Sequence, residues 1–330
     1  MKIFITSSEN KNKFGISKVI EQLKKRFRKF NEVEYSNNLF NFILIKPDIL
    51  HIHGCWKIRL LIFFLLAKLF GIKIVISPHG MIDPLSFNQK KTKKNLAWFI
   101  YQRYIFIFSN LVIVNSELEK KNLIKKLKIS KNIEIIKHGI TLPRLSKIIK
   151  KNEKLTFVFF SRIHPSKNLM RIVQIWKNNY FFDDYKLDIY GEIEDVQYFN
   201  NFKSQIKNSE NISYKGRINN NNLNYKLSKY DIFLHPSNSE NFGLVILEAM
   251  SCGLFPVVNK KIDWKILDKN ELGKSLNFTY KDLKRLIIQL NKSKKKIRSK
   301  KFQKKIREYL FKNYNWDFII NEYYQNYKSL

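Results

Sequence analysis

What most constrains this 330-residue sequence is the alternation of short β-type runs with helix-length amphipathic stretches from one end to the other. Lys2–Thr6 reads as a strand, and Ile16, Val19, Ile20, Leu23, Phe27 and Phe30 then recur at helical spacing. Ile49–His53 predicts a strand, Arg59–Phe70 a helix closed by Gly71, and Lys73–Ser77 another strand. Leu111–Asn115 is a strand that runs into Ser116-Glu117-Leu118-Glu119, where a serine followed three residues later by a glutamate predicts a capped helix start. Alternation of this kind means βαβ units and a parallel sheet.

From about Pro143 to Lys154 the rhythm breaks into a lysine-rich stretch without a period, which reads as a linker. It restarts at the apolar strand Leu155–Phe160, with Lys186–Tyr190, Ile212–Tyr214, Asp231–His235 and Phe255–Val258 as further strands. From Asp282 the chain reads as helical and very basic, including Lys292–Lys305. The aromatic stretch Trp316–Tyr327 needs a surface to cover. The expected organisation is an α/β chain of two domains, residues 1–145 and 146–312, with 313–330 a helix returning to the first.

With 44% hydrophobic residues there is ample material for two cores, which excludes a disordered chain. Two cysteines far apart, Cys55 and Cys252, make neither a disulfide framework nor a zinc site and favour a reducing compartment. The start, Met1–Thr6, turns polar at Ser7 and does not read as an export signal. The longest apolar run, Leu60–Ala67, falls far short of the roughly 20 residues a spanning helix needs. A cytoplasmic protein is expected, with peripheral placement on the inner membrane face allowed by its charge.

That charge is +35, from 62 Lys and Arg against 27 Asp and Glu. It draws a chain toward polyanions, either nucleic acid or an anionic membrane surface. Lys24-Lys25-Arg26-Phe27-Arg28-Lys29 and Lys90-Lys91-Thr92-Lys93-Lys94 are the candidate grips on anionic lipid. No recognition helix or stacking platform is evident, so nucleic acid is not expected as a partner.

Chemistry concentrates in His235-Pro236-Ser237-Asn238-Ser239-Glu240-Asn241-Phe242-Gly243-Leu244 and the apolar run through Glu248 to Gly253. A strand, a polar loop and a helix starting near Phe242 would set free N–H groups at Asn241, Phe242, Gly243 and Leu244. Such a start is an anion site at the carboxyl end of a parallel strand. Glu240 and Glu248 flank it, and two carboxylates beside an anion site are suited to hydroxyls, one set on a sugar and one on a ribose.

This stretch closely resembles the signature of the retaining GT-B glycosyltransferases of family 4 (group 1), with its Glu–seven residues–Glu spacing. The resemblance implies two Rossmann-like domains with parallel sheets facing a central cleft. By position it assigns Glu240 to the donor sugar and Glu248 to the ribose of a UDP-, GDP- or ADP-sugar. Ser161-Arg162-Ile163-His164-Pro165-Ser166-Lys167 follows an apolar strand, as in the family, so Arg162 and Lys167 are assigned to the diphosphate. No acidic metal cluster is seen, and neither a metal nor another cofactor is expected. Ile189-Tyr190-Gly191-Glu192 and Lys215-Gly216-Arg217 match family positions near the nucleotide, which adds Gly191 and Arg217.

In the first half, Val75-Ile76-Ser77-Pro78-His79-Gly80-Met81-Ile82-Asp83-Pro84 resembles a segment of a subgroup acting in polysaccharide or lipopolysaccharide assembly. The family places a histidine here beside the donor sugar and the reaction centre, which implies a catalytic role for His79. His51-Ile52-His53-Gly54-Cys55-Trp56 resembles the preceding strand end of that subgroup. His51 and His53 alternate onto one face, a pattern metals use, but with no third ligand nearby His53 reads as lining the acceptor side. The family's Gly-Gly loop after the first strand is reduced here to Gly15, and its Asn-Gly after the last strand of the first domain to His138-Gly139.

The reaction implied is sugar transfer with retention to a glycan or lipid-linked acceptor. The alternatives are an inactive GT-B relative and a nucleic-acid- or polyanion-binding protein.

Overall fold

The computed structural model describes residues 1–9, 15–29, 32–88, 91–130, 132–143, 153–218 and 222–330. Phe30, Lys90, most of the predicted linker and part of the loop after the first strand lie outside the described residues. The chain forms two compact units, Met1–Gly139 with Trp316–Leu330, and Ile140–Asn315. The division falls at 139/140 and 315/316, against the expected 145/146 and 312/313.

Unit 1 carries strands β1 (Lys2–Ser7), β2 (Glu32–Tyr35), β3 (Ile49–His53), β4 (Lys73–Ser77), β5 (Leu111–Val114) and β6 (Ile133–Ile135). Its helices are α1 (Ile16–Phe27), α2 (Leu39–Ile45), α3 (Ile58–Leu69), α4 (Pro84–Asn88), α5 (Lys91–Ala97), α6 (Arg103–Phe108) and α7 (Glu117–Leu127). A π-helical turn, Trp98–Gln102, joins α5 to α6. The sheet order is β2-β1-β3-β4-β5-β6, parallel throughout.

Alternate strand residues separate its two faces. Phe4, Leu50, Ile52, Ile74, Ile76, Val112 and Val114 pack with α2, α3, α6 and α7 in one core. The other face, which includes His51, receives α1 and α16 (Trp316–Lys328). Tyr323 and Tyr327 of α16 pack on Phe27 of α1 at ring distances of 5.9 and 5.4 Å.

Unit 2 holds β7 (Phe157–Phe160), β8 (Leu187–Tyr190), β9 (Ile212–Tyr214), β10 (Ile232–His235), β11 (Phe255–Asn259) and β12 (Lys274–Leu276). Helices α8 (Leu169–Lys177), α9 (Val196–Ile206), α10 (Leu223–Leu227), α11 (Leu244–Ser251) and α12 (Ile266–Lys269) alternate with them. Three more, α13 (Tyr280–Lys292), α14 (Lys294–Ile297) and α15 (Lys300–Tyr314), complete the unit. Its sheet order is β12-β11-β10-β7-β8-β9, again parallel.

This order has a functional consequence. From β7 the chain winds outward through β8 and β9, then crosses back to β10 and winds the other way. The carboxyl ends of β7 and β10 therefore border the point where winding reverses, which is where open α/β sheets hold ligands. At the opposite end of β10, Asp231 is buried and takes Arg298 Nε at 2.8 Å and Nη2 at 2.7 Å, an ion pair that anchors α14 to the sheet.

Candidate active-site residues

After β7 the chain makes a short 3-10 turn, Pro165–Lys167, whose first N–H groups are satisfied by His164: its Nδ1 accepts from Ser166 N at 3.1 Å. Asn168 then takes a left-handed φ of 55° and opens α8. The loop after β10 is tied to this turn. Ser237 Oγ and Asn238 N donate to Ser166 O at 3.2 and 3.3 Å. Asn168 Nδ2 and Asn259 Nδ2 both donate to Pro236 O, at 3.3 and 3.1 Å. Two loops far apart in sequence are thus fixed as one surface at the switch point.

That surface carries the ion pair. Lys167 Nζ donates to Glu240 Oε1 at 2.6 Å, and His235 Nε2 lies 2.7 Å from the same oxygen. Both charged side chains are about nine-tenths buried. Burial alone would raise the Glu240 carboxyl, but Lys167 and His235 outweigh it and hold it well below the usual carboxylate range. A carboxylate only accepts, so His235 donates through Nε2. Its Nδ1 is buried without a hydrogen-bond partner among the described residues. Sequence reasoning passed over His235. Its signal was its place as the last residue of a strand five positions before Glu240.

The helix after Glu240 begins two residues later than the sequence suggested. Gly243 is its N-cap at φ 79°, so the first helical residue is Leu244 and Asn241, Phe242 and Gly243 belong to the approach. Only glycine suits the cap: a Cβ there would lie 2.8 Å from Trp264 Nε1, on backbone that side chains rarely adopt. Glu248 therefore sits one turn into the helix and is buried. Asn241 Oδ1, also buried, has no hydrogen-bond partner among the described residues.

Arg162 is not brought to Lys167. Its Nη1 donates to both carboxylate oxygens of Glu194 at 2.6 Å, and the pair is half exposed to solvent. Arg217 lies 3.7 Å from Glu192 on the same rim. Gly191 ends β8 where a Cβ would sit 1.9 Å from Ser161 O, so the close approach of the β7 and β8 ends requires glycine.

In unit 1 the predicted histidines gather with one more. His53 Nδ1 lies 2.7 Å from His79 Nε2 with the rings stacked at 5.0 Å, and His138 stacks on the other side of His79 at 5.5 Å. His51 sits behind His53, its Nε2 2.9 Å from Ser77 Oγ and its Nδ1 2.7 Å from the Tyr327 hydroxyl. The His51–His53 pair thus has two neighbouring imidazoles that strand spacing did not show. Among the described residues, no three His, Cys, Asp or Glu side chains are arranged to hold a metal ion.

Burial lowers the pKa of His79 from 6.5 to about 4. It pushes His51, His53 and His138 well below the ordinary value, helped by their mutual repulsion when charged. The row is uncharged at neutral pH.

The backbone at His79 is itself held. His79 has φ 54° and Gly80 φ 75°, a left-handed pair. Glu119, read from sequence as a capping residue, is buried; one carboxylate oxygen accepts from Gly80 N–H and the other from Asn115 N–H at 2.8 Å. Ser116 Oγ caps α7 by accepting from Glu119 N at 3.1 Å. Gly15 stands at the N-cap of α1 with φ 88°.

Over 100% of both chains the structure matches Anabaena Alr3699/HepE, solved in complex with UDP and glucose, at TM-score 0.79 and 16% identity. The fold is GT-B, and with its family matches the chain is a GT-B glycosyltransferase. Residues 143–309, just over half the chain, match the profile "Glycosyl transferases group 1", and the protein belongs to that family. Residues 15–144 match "Glycosyltransferase Family 4". A Klebsiella pneumoniae protein described as an uncharacterized 41.2 kDa protein in cps region is 25% identical over 305 residues, 86% of this chain and 79% of its own. The UDP-N-acetylglucosamine–peptide N-acetylglucosaminyltransferase GtfA subunit of Streptococcus agalactiae is 26% identical over 200 residues, 58% of this chain and 38% of its own.

Proposed function

We propose that the protein transfers a sugar from a nucleoside-diphosphate donor to a glycan or lipid-linked acceptor, with retention at the anomeric carbon. The observation that carries this reading is the Lys167–Glu240–His235 cluster at the switch point of the second sheet, beside the start of α11. The Lys167 ammonium has three N–H donors and the pair with Glu240 uses one, so two remain for diphosphate oxygens. Both contacts to Glu240 fall on Oε1, which leaves Oε2 to accept from a sugar hydroxyl.

Arg162 is assigned to the outer phosphate, exchanging Glu194 for it, and the N–H groups at Leu244 to the same anion. Glu248 takes the ribose hydroxyls, with Gly191, Arg217, Asn241, Phe242 and Gly243 around the nucleotide. Gly15, His53 and His79 serve the acceptor side, His79 beside the reacting carbon.

In the step itself the acceptor oxygen attacks the anomeric carbon from the face that the phosphate leaves. The carbon–phosphate oxygen bond breaks, and the acceptor proton passes to the departing phosphate oxygen. Lys167 and Arg162 stabilise the growing negative charge, the task a metal performs elsewhere, and chelators are expected to leave turnover unchanged. UDP-sugars come first among candidate donors, because Alr3699/HepE was solved with UDP and the GtfA relative uses a UDP-sugar. A place in surface polysaccharide assembly is supported by the Klebsiella relative, described as a protein in cps region.

The test is donor binding by thermal shift against UDP-, GDP- and ADP-sugars, with Glu248→Ala as control. Stabilisation of the wild type by one nucleotide, lost in the variant, is expected. Absence of stabilisation by all of them would overturn the reading in favour of an inactive relative or a polyanion binder.

A further inference from the structure

The helix layer α2, α3 and α6 of unit 1 buries its inner side against one sheet face through Phe42, Phe63 and Ile105. Its outer side is also apolar. On α3, Ile58, Ile62, Leu65 and Leu69 recur at steps of four, three and four residues and are 67, 40, 55 and 76% exposed. A stripe at that spacing is one continuous face of a helix. Leu44 on α2 and Ile100 and Phe108 on the α5–α6 segment extend it, each more than half exposed. Scattered apolar residues are ordinary on a protein surface, whereas an aligned stripe with further exposed apolar side chains on neighbouring helices marks a contact site.

The charge around the stripes selects the partner. Residues 36–110 contain ten Lys and Arg, two Asp and no Glu. Both aspartates are engaged within the unit, Asp48 by Lys2 N at 2.6 Å and Asp83 by Asn122 Nδ2 at 3.1 Å. A second copy apposed through this face would set cations against cations in a chain of net charge +35. An anionic bilayer matches both parts, accepting apolar side chains at the headgroup boundary and drawing lysines to its phosphates. No helix among the described residues is long and apolar enough to cross a membrane, so contact would be from one side.

We propose that the outer face of α2, α3, α5 and α6 seats the protein on an anionic lipid bilayer. This revises the sequence expectation for one of its two basic clusters. Lys24–Lys29 belongs to α1 and the residues just after it, and α1 lies on the opposite face of the sheet with α16. There Lys24 lies 3.7 Å from Glu34 and Arg26 stacks over Trp316 at 4.7 Å. One flat membrane cannot meet both clusters, and only Lys91–Lys94 borders the apolar stripes.

The experiment is flotation of the full chain with vesicles of phosphatidylcholine, with and without phosphatidylglycerol. Wild type should float with the anionic vesicles, and the Ile62→Glu, Leu65→Glu double variant should partition at least about tenfold less. Lys24→Gln with Lys25→Gln should leave flotation unchanged. Failure of wild type to float, or a greater loss from the lysine pair than from the apolar pair, overturns the proposal. A wild-type dimer that the apolar double variant makes monomeric without loss of flotation also overturns it, in favour of self-association. The surface is argued independently of the donor site. Donor-induced thermal shift in the same samples therefore reports separately on that assignment, and confirms that the exposed substitutions leave the fold intact.

Discussion

In unit 2 the candidate residues form a buried ion pair, whereas in unit 1 they form a row of imidazoles that burial keeps uncharged. Both occupy the carboxyl ends of parallel strands, so strand geometry does not explain the difference. What differs is the neighbour supplied by the second loop. In unit 2, β10 leads to Glu240, which meets the ammonium of Lys167. In unit 1, the strand ends bring histidine to histidine, and the buried carboxylate of Glu119 is spent on the backbone of Gly80 and Asn115. Under the proposed function, the first surface keeps its internal charge pair and adds a charged ligand to the remaining donors of Lys167. On the same proposal, the second offers hydrogen bonds without charge to the hydroxyl groups of an acceptor.

The sharpest test of the contrast is Lys167→Ala. Removing the cation that faces the proposed leaving group should lower turnover by roughly 10²–10³-fold in a folded protein. Equal turnover would break the assignment of charge to unit 2.

Acid should separate the units next. The folded pKa of each histidine in the row is below its unfolded value, so the unfolded chain binds protons that the folded chain refuses. Their stabilising contribution is present above pH 6.5 and is lost as pH falls toward the folded value, about 4 for His79. The Glu240 contribution, from a depressed carboxyl, holds above its unfolded value of 4.5 and is lost only below it. Hydrogen exchange between pH 6.5 and 5 should show unit 1 losing protection first, and loss in unit 2 first would contradict the comparison. The smallest effect expected is from Tyr327→Phe, which removes the partner of buried His51 Nδ1 and should cost about 1–3 kcal/mol in chemical denaturation.

Much of this was legible in the sequence because parallel strands buried on both faces are apolar runs with sharp ends, and Ile49–His53 and Lys73–Ser77 were read to the residue. β2, β6 and β12 escaped because each is a sheet-edge strand of three or four residues that includes at least one charged side chain, whereas Ile212–Tyr214, as short and also at an edge, carries none. The start of α11 was misplaced because the cap is a left-handed glycine packed on Trp264, a tertiary contact that no local signal encodes. The pairing of Arg162 with Glu194 across 32 residues, and the arrival of His138 beside His79, belong to the same class. Residue types at strand ends could be read; the partners that set their charge state could not.

The return of α16 to unit 1 bears on how the chain is made. Residues 316–330 are synthesised after all of unit 2, yet they supply the rings that cover Phe27 and the hydroxyl that meets His51. During translation unit 2 can close on itself while one face of the first sheet waits with α1 but without α16. The histidine row is thus among the last parts of the molecule to assume its final surroundings.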